Sequence, residues 1–237
     1  MNNTGETNEL LRKLQLDARV LFGDNSEVVR LNGTTTLLRA GEPTTHVHFI
    51  QGGLLSVISE AQGATVEVGL IGRDGLSGSW ISLGQTSTPF RVVSQVEGQA
   101  LRVPVNAFRQ ACTENLDLRA AVLGYAQSFT TMVAETCWAA ARLSVEGRLA
   151  RWLLMAHERL DGDEIVITHE TLSNMLGVRR PGVTVVTHVL EGERMIRAKR
   201  GRIQILDREK LEAVARGCYR PAPDPSVFAG AETARAA

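Results

Sequence analysis

The chain has 237 residues, of which 43% are apolar and 22% charged, as in an ordinary globular protein with one large domain or two small ones. No apolar run approaches the roughly 20 residues of a membrane-spanning helix, and the polar first thirty residues lack the layout of a secretory signal, so we expect a cytoplasmic protein. The 26 Lys and Arg residues equal the 26 Asp and Glu residues in number, which argues against a general nucleic-acid binder.

The net charge of zero is the sum of an acidic and a basic part of the chain. Residues 1–141 hold 10 Lys and Arg against 13 Asp and Glu, whereas residues 165–205 hold 7 against 3. A basic module of this kind is an electrostatic footprint for phosphate binding, although a solvated charged face would have the same composition.

Residues 28–105 are predicted to form short antiparallel strands separated by glycines. Such spacing is typical of a barrel or jelly roll. The predicted strands are residues 28–29, 34–38, 46–50, 54–58, 65–70, 90–96 and 100–103. His46 and His48 fall on one strand face, as in metal-binding cupin-like enzymes. The next histidine is His157, outside the roll, so we expect half-buried strand histidines and no metal.

Residues 116–143 are predicted to form one long helix, without proline and with one glycine. Eight positions, alternately four and three residues apart, form a mostly apolar heptad pattern that favours a parallel homodimer. This predicted seam consists of Leu118, Val122, Tyr125, Phe129, Met132, Thr136, Ala139 and Leu143. The alternative is a helix packed on its own β-domain. Leu123, Val133 and Trp138 lie off the seam and would cover that domain.

The three cysteines, Cys112, Cys137 and Cys218, are widely spaced and odd in number. They indicate neither a zinc knuckle nor a disulfide framework and are consistent with a reducing compartment. We expect Cys137, in the long helix, to lie in the core.

A second helix is predicted over residues 149–160. Glu146-Gly147-Arg148 separates it from the long helix, with Gly147 as a hinge or a packing glycine. The last residues, from Arg220, are rich in Pro, Ala and Gly and are predicted to be disordered.

A helix-turn-helix is predicted after the short β-like run at residues 165–167. Thr168 is the expected N-cap of its first helix, Gly177 lies in the turn, and the second helix runs from about residue 180 to 191. Residues 183–187 are β-branched and would be assigned to a strand by propensity. Val183, Val186 and Leu190, however, form one buried helical face.

The opposite face of the second helix carries the residues expected to reach DNA base edges. Residues 195–205 then form two strands around a glycine turn, a wing with a cationic tip suited to phosphate contact. The predicted DNA-binding residues are Thr168, His169, Arg179, Arg180, Pro181, Thr184, Val185, His188, Lys199, Arg200 and Arg202.

From about residue 20 to 212 the chain resembles the Crp/Fnr family of bacterial regulators. The similar segments are residues 41–53, with Gly41-Glu42 and Gly53, residues 72–78, residues 145–149 and residues 167–196. The resemblance implies a dimer on the long helix, an effector-sensing β-roll and promoter binding at a two-fold symmetric site, with RNA polymerase as a candidate partner.

The chain departs from this family where cyclic-nucleotide-binding members hold the ribose and phosphate. Those members have Gly-Glu followed ten residues later by Arg-Ser. Here Gly78 is followed by Ser79 and the later pair is Pro89-Phe90, with Arg91 one residue late. Val133-Ala134 also replace base-contacting hydroxyl residues. We therefore expect no cyclic AMP binding in the usual way. The effector pocket, for an unknown ligand, is predicted at Gly78, Ser79, Trp80, Phe90, Arg91 and Val133.

No cysteine precedes Cys112, which argues against the family's iron–sulfur cofactor, and no position argues for haem, so no cofactor is predicted. In the recognition helix, Arg180 matches the guanine-reading arginine of the family. Pro181 and Val185 replace the common Glu and Arg, so the DNA site should differ from the family's usual one.

The sequence therefore predicts an α+β protein that is a regulator and not an enzyme. Its parts are an antiparallel β-roll of the jelly-roll or double-stranded β-helix type (1–115), a dimerisation helix (116–144), a winged helix-turn-helix (145–212) and a disordered tail (213–237). Its expected partners are double-stranded DNA and a second copy of the chain. The alternatives are a cupin-like metal enzyme and a nucleotide-sensing module without DNA output.

Overall fold

The computed structural model describes residues 8–221. Two short helices that the sequence did not reveal, α1 (Glu9–Lys13) and α2 (Ala18–Phe22), bury Leu10, Leu11 and Phe22 against the first domain. The Asn8 side chain caps α1 and donates 2.8 Å hydrogen bonds to the carbonyls of Ile50 and Gly75. The start of the described chain is thereby fixed to the domain.

Six antiparallel strands form the predicted β-roll, here residues 27–104, in the sheet order β1-β6-β3-β4, with β2 on β6 and β5 on β3. The fold class predicted from the sequence is confirmed. The strands are β1 (Glu27–Leu31), β2 (Thr36–Leu38), β3 (His46–Ala61), β4 (Ala64–Ile71), β5 (Leu76–Ser77) and β6 (Arg91–Pro104).

Two strands are longer than predicted, because glycines that suggested turns lie at bulges instead. Residues 46–50 and 54–58 belong to the single strand β3, and residues 90–96 and 100–103 largely to β6. Gly53 has φ +84°, and a Cβ atom on Gly98 would lie 2.0 Å from the Gly52 carbonyl oxygen. Only glycine permits the register shifts at this bend between β3 and β6.

Three helices follow the roll: α3 (Val105–Glu114), α4 (Leu116–Arg142) and α5 (Val145–Arg159). The long helix α4 is confirmed, and the Asn115 side chain accepts a 2.8 Å hydrogen bond from the Leu118 amide at its start. Helix α5 begins four residues earlier than predicted, because Ser144 caps it through the Gly147 amide. Gly147 thus lies in the first turn of α5. A Cβ atom there would lie 3.3 Å from Leu143 and Val214, so Gly147 is a packing glycine.

The predicted seam of α4 faces the β-roll of its own chain. Leu118 and Val122 are fully buried, and Tyr125 and Ala139 nearly so. A Cβ atom on Gly75 would lie 2.1 Å from the Tyr125 ring, and one on Gly69 would lie 2.8 Å from the Phe129 ring. Four of the eight seam residues, Leu118, Val122, Tyr125 and Ala139, are thus buried within one chain, so their assignment to a dimer interface is wrong; the other four are half-buried.

The opposite face of α4 is open. Leu123 is 36% exposed and Trp138 51% exposed, so neither covers the roll as expected, and Val133 is half-buried. Cys137 is exposed, so its expected place in the core is also wrong.

Helix α5 attaches the C-terminal part of the chain to the roll. The indole Nε1 of Trp152 donates a 2.7 Å hydrogen bond to the Glu67 carboxylate on β4, and Arg159 Nη2 lies 2.8 Å from Asp74 Oδ2. Arg73, beside Asp74 in the turn after β4, pairs with Asp161 beyond the end of α5. This interface between roll and α5 is thus held by polar contacts.

The predicted tail at residues 213–237 is wrong in its first part. Helix α8 runs over Arg208–Val214, Ala215 and Cys218 are buried, and Arg151 Nε donates a 2.7 Å hydrogen bond to the Cys218 carbonyl. The remainder of this prediction, residues 222–237, lies outside the described residues.

Candidate nucleic-acid interface

A helix-turn-helix occupies the predicted place. Helix α6 (His169–Leu176) begins at Thr168, whose hydroxyl accepts a 3.1 Å hydrogen bond from the Thr171 amide. Helix α6 ends at Gly177, whose φ of +61° produces the tight turn into α7 (Arg180–Gly192). The predicted helix-turn-helix is confirmed.

Helix α7 buries one face despite its β-branched sequence. Val183, Thr187 and Leu190 are buried, and Val186 is half-buried. The free energy of burying these side chains outweighs the weak preference of Val and Thr for strands. The sequence reasoning missed Thr187, because threonine is seldom a fully buried residue.

The other face of α7 is open to solvent from its first turn as far as His188. The side chains of Arg180 and His188 are 67% and 71% exposed, and Val185 is 61% exposed. Pro181 is exposed in the first turn, where its missing N–H breaks no helical hydrogen bond. The charge of Arg180 is available to a ligand, because its ion pair within residues 8–221 is a 3.9 Å surface contact with Glu170, a weak kind of interaction.

His169 connects the two helices of the motif. Its Nδ1 lies 3.1 Å from the Thr184 hydroxyl, which also donates a 3.2 Å hydrogen bond to the Arg180 carbonyl. Burial, the Arg180 guanidinium and the neighbouring His188 lower the pKa of His169. A neutral imidazole at this point holds Thr184 in place on the exposed side of α7.

A three-stranded wing follows, with strands β7 (Glu164–Val166), β8 (Ile196–Lys199) and β9 (Arg202–Ile205) in the order β7-β9-β8. Lys199 and Arg200 are exposed at its tip, where Gly201 has φ +77°. Arg202 pairs with Glu164 on β7, and the Ala198 amide donates a 3.0 Å hydrogen bond to Glu191 on α7. The wing is thereby fixed to β7 and to the C-terminal part of α7, and Arg179 stands exposed before that helix.

Two domain families match the chain in succession. Residues 28–115 match the cyclic nucleotide-binding domain, and residues 147–214 match the Crp-like helix-turn-helix domain. The chain belongs to the Crp/Fnr family of transcriptional regulators. No curated protein matches the sequence.

Several solved structures share the fold at low sequence identity. A CRP-family regulator from Thermus thermophilus is 18% identical, with 83% of this chain and 99% of that chain covered and a TM-score of 0.67. FixK2 from Bradyrhizobium japonicum is 12% identical, with coverage of 80% and 96% and a TM-score of 0.67. A CooA mutant from Carboxydothermus hydrogenoformans is 14% identical, with coverage of 87% and 95% and a TM-score of 0.64.

The predicted effector residues of this Crp/Fnr protein are spread over several environments. Gly78 has φ +87°, Ser79 after it is buried, and Trp80 donates a 3.1 Å hydrogen bond to the Thr44 hydroxyl. Phe90 packs against the core of the roll, and Val133 is half-buried on α4. The Arg91 guanidinium lies 2.6 Å from the Glu60 carboxylate. Arg91 is therefore already paired at the edge of the roll.

The two strand histidines make protein hydrogen bonds. His48 is buried with its Nδ1 3.1 Å from the Ser77 hydroxyl, and burial lowers its pKa to about 4. His46 lies 2.9 Å from the Thr45 hydroxyl. Over residues 8–221 no group of three or more His, Cys, Asp and Glu side chains could hold a metal ion. No helix in that range is long and apolar enough to cross a membrane.

Proposed function

We propose that this Crp/Fnr regulator binds a two-fold symmetric DNA site as a homodimer, with α7 of each subunit in the major groove. The observation that carries the proposal is the division of α7 into a buried face and an open face that presents Arg180 and His188. The N-terminal half of a recognition helix is the part that reaches base edges.

A single guanine in each half-site is read by Arg180, because a guanidinium can donate two hydrogen bonds to guanine O6 and N7. Pro181 and Val185 offer only apolar contact, for instance to a thymine methyl group, so the site differs from the family's usual one. The remaining predicted residues contact phosphates or the flanks of the groove: Thr168, His169, Arg179, Thr184, His188, Lys199, Arg200 and Arg202.

The dimer forms through the exposed face of α4. Eight residues there, alternately four and three positions apart, form what we call the exposed stripe. They are Leu116, Ala120, Leu123, Gln127, Thr130, Ala134, Cys137 and Ala141, all exposed or half-buried. This is the heptad spacing of a two-helix interface, and the small side chains of its C-terminal half allow two helices to approach closely.

Cyclic AMP is not the effector in the family's usual way. Ser79 offers a hydroxyl where the family's Glu holds the ribose, and Arg91 is committed to Glu60 at 2.6 Å. A cyclic phosphate without an arginine loses a charge-assisted hydrogen bond worth about 1.5–3 kcal/mol. Calorimetry should therefore detect no binding at micromolar cyclic AMP, and micromolar affinity would contradict this assignment.

The protein acts in the cytoplasm through DNA binding, with RNA polymerase as a candidate partner, and not as an enzyme. Selection of binding sites from random duplexes tests the DNA-binding function. The expected product is an inverted repeat whose half-sites each contain one essential guanine and lie one helical turn apart. Recovery of unrelated sequences, or of single unrepeated half-sites, would contradict it.

A further inference from the structure

A cavity of about 340 Å³ lies between the β-roll, α4, α5 and the segment after α8. Asp74 of the roll, Tyr125 of α4, Arg159 of α5 and Tyr219 near the described C-terminus each form part of its wall. The cavity is separate from the predicted effector pocket, since none of Gly78, Ser79, Trp80, Phe90, Arg91 and Val133 lines it. Its volume lies at the lower end of the range typical of small-molecule sites.

Two buried donors at this cavity have no hydrogen-bond acceptor. Tyr125 is 8% exposed and Arg159 6% exposed, and neither the Tyr125 hydroxyl nor the Arg159 Nε has an acceptor for its proton among the described residues. Burial raises the pKa of Tyr125, so its phenol keeps the proton that it can donate. Buried donors without acceptors are rare in folded proteins because each costs free energy. The Tyr125 hydroxyl and the Arg159 Nε–H could both donate a hydrogen bond to an oxygen atom of a ligand.

The charges around the cavity leave room for one negative charge. Arg151, Arg159 and Arg220 line it, opposed by Asp74 and Glu135. Arg159 pairs with Asp74 at 2.8 Å, and Glu135 lies 3.7 Å from Arg151 and 3.3 Å from Arg220. Behind the wall, Glu158 lies 3.5 Å from Arg159, and Arg208 beside Tyr219 is paired with Glu212 at 3.0 Å. Among the side chains that line the cavity itself, three arginines face two carboxylates.

The rest of the wall suits an apolar body. Phe129 and Met132 from α4, Met155 from α5, and Tyr219 line the cavity together with the Ser128 hydroxyl. Aromatic side chains and the thioethers of methionine make favourable contacts with flat rings. The complementary ligand thus has an apolar body and one anionic group.

We propose that this cavity binds a small organic carboxylate with an apolar, preferably aromatic, body, its oxygens accepting hydrogen bonds from Tyr125 and Arg159. Because both donor atoms are covered from solvent, a small side-chain rotation accompanies binding. The ligand would contact the roll, α4 and α5 at once, so it would favour one position of the DNA-binding domain over others. The effect of the ligand on DNA binding rests on the proposed function, whereas binding of the ligand to the cavity does not.

The test uses the full chain with three aryl carboxylates, benzoate, phenylacetate and indole-3-acetate, and their neutral amides. Binding is measured by ligand-detected NMR and calorimetry. Ser128→Trp fills the cavity without removing a charge. Thr113→Trp is its matched control, since the Ser128 and Thr113 hydroxyls both bond the carbonyl four residues earlier, at 2.9 Å, and Thr113 is exposed on α3. Tyr125→Phe removes one donor and keeps the ring.

At least one carboxylate should bind at least tenfold more tightly than its amide. Ser128→Trp should abolish this binding, Thr113→Trp should leave it unchanged, and Tyr125→Phe should weaken it about fivefold. Equal binding of acids and amides, no carboxylate binding at millimolar concentration, or binding that survives Ser128→Trp would overturn the proposal. The DNA affinity of each variant without ligand is measured in parallel. Loss of the cavity site with intact DNA binding therefore leaves the proposed function standing.

Discussion

Glu67 offers a quantitative test of the contact between the β-roll and the DNA-binding domain. Its carboxyl is buried, accepts a 2.7 Å hydrogen bond from the Trp152 indole and bonds the Ser56 hydroxyl. Burial raises its pKa from the ordinary value of 4.5 to about 7, even though both hydrogen bonds act in the opposite direction. Such a shift corresponds to about 3 kcal/mol between the two protonation states.

Glu67→Gln should remove this dependence on pH. The folded-state pKa lies above the unfolded one, so the stability from this carboxyl is fully present below pH 4.5 and is lost as the pH rises through about 7. Glutamine keeps an oxygen for Trp152 and has an amide donor for Ser56, but it never ionises. The variant should match the wild type near pH 4.5 and be more stable by up to about 3 kcal/mol at pH 8.

Urea unfolding at several pH values measures this difference. His48 also makes the stability depend on pH. Because burial lowers its pKa to about 4, its effect raises the stability of the folded state between pH 4 and 6.5, opposite to the effect of Glu67. Both proteins contain His48, so subtracting the wild-type free energy of unfolding from that of the variant removes this contribution. Glu97→Gln, at an exposed site on β6, controls for the lost charge. A constant difference between variant and wild type from pH 4.5 to 8 would refute the reasoning.

Three further substitutions test the packing and the dimer. Gly75→Ala should destabilise the fold by about 1–3 kcal/mol in thermal unfolding, because its Cβ would lie 2.1 Å from the Tyr125 ring, and an unchanged melting temperature would contradict this packing. Thr187→Val should stabilise by about 1 kcal/mol without changing DNA affinity, because it removes a buried hydroxyl that has no partner; destabilisation would show that the hydroxyl is bonded. Leu123→Glu should yield monomers in sedimentation, whereas Val20→Glu, at an exposed site on α2, should not.

The sequence was most informative where pattern and turn chemistry agreed. Thr168 before α6, Gly177 after it and the buried spacing of Val183 and Leu190 led to the helix-turn-helix despite the strand propensity of α7. The glycines at 52 and 53 misled for a physical reason. A glycine that permits a bulge inside a strand cannot be distinguished by sequence alone from one that ends a strand.

The long helix shows a second limit of sequence reasoning. Both faces of α4 repeat at heptad spacing, and from the sequence the more apolar one is the predicted dimer interface. In the fold that face packs on the roll, where Gly69 and Gly75 make room for Phe129 and Tyr125. Periodicity reveals that a face is covered, but it does not reveal whether the same chain or a second one covers it.

The cavity between the domains was also beyond the reach of the sequence. Its walls come from segments far apart in the chain, and nothing in the sequence around Arg151 and Arg159 indicates that their charges are buried. Their burial is visible only once α5 is placed against α4 and the turn at Asp74.

The central claim, that α7 reads DNA through Arg180, is tested most directly by the affinity of Arg180→Ala for a selected site and for a random duplex of equal length at one salt concentration. The variant should lose about 1–3 kcal/mol on the selected site and much less on the random duplex. Lys199→Ala, a phosphate-contact control at the wing tip, should weaken both alike. Equal losses on the two duplexes for Arg180→Ala would contradict the account.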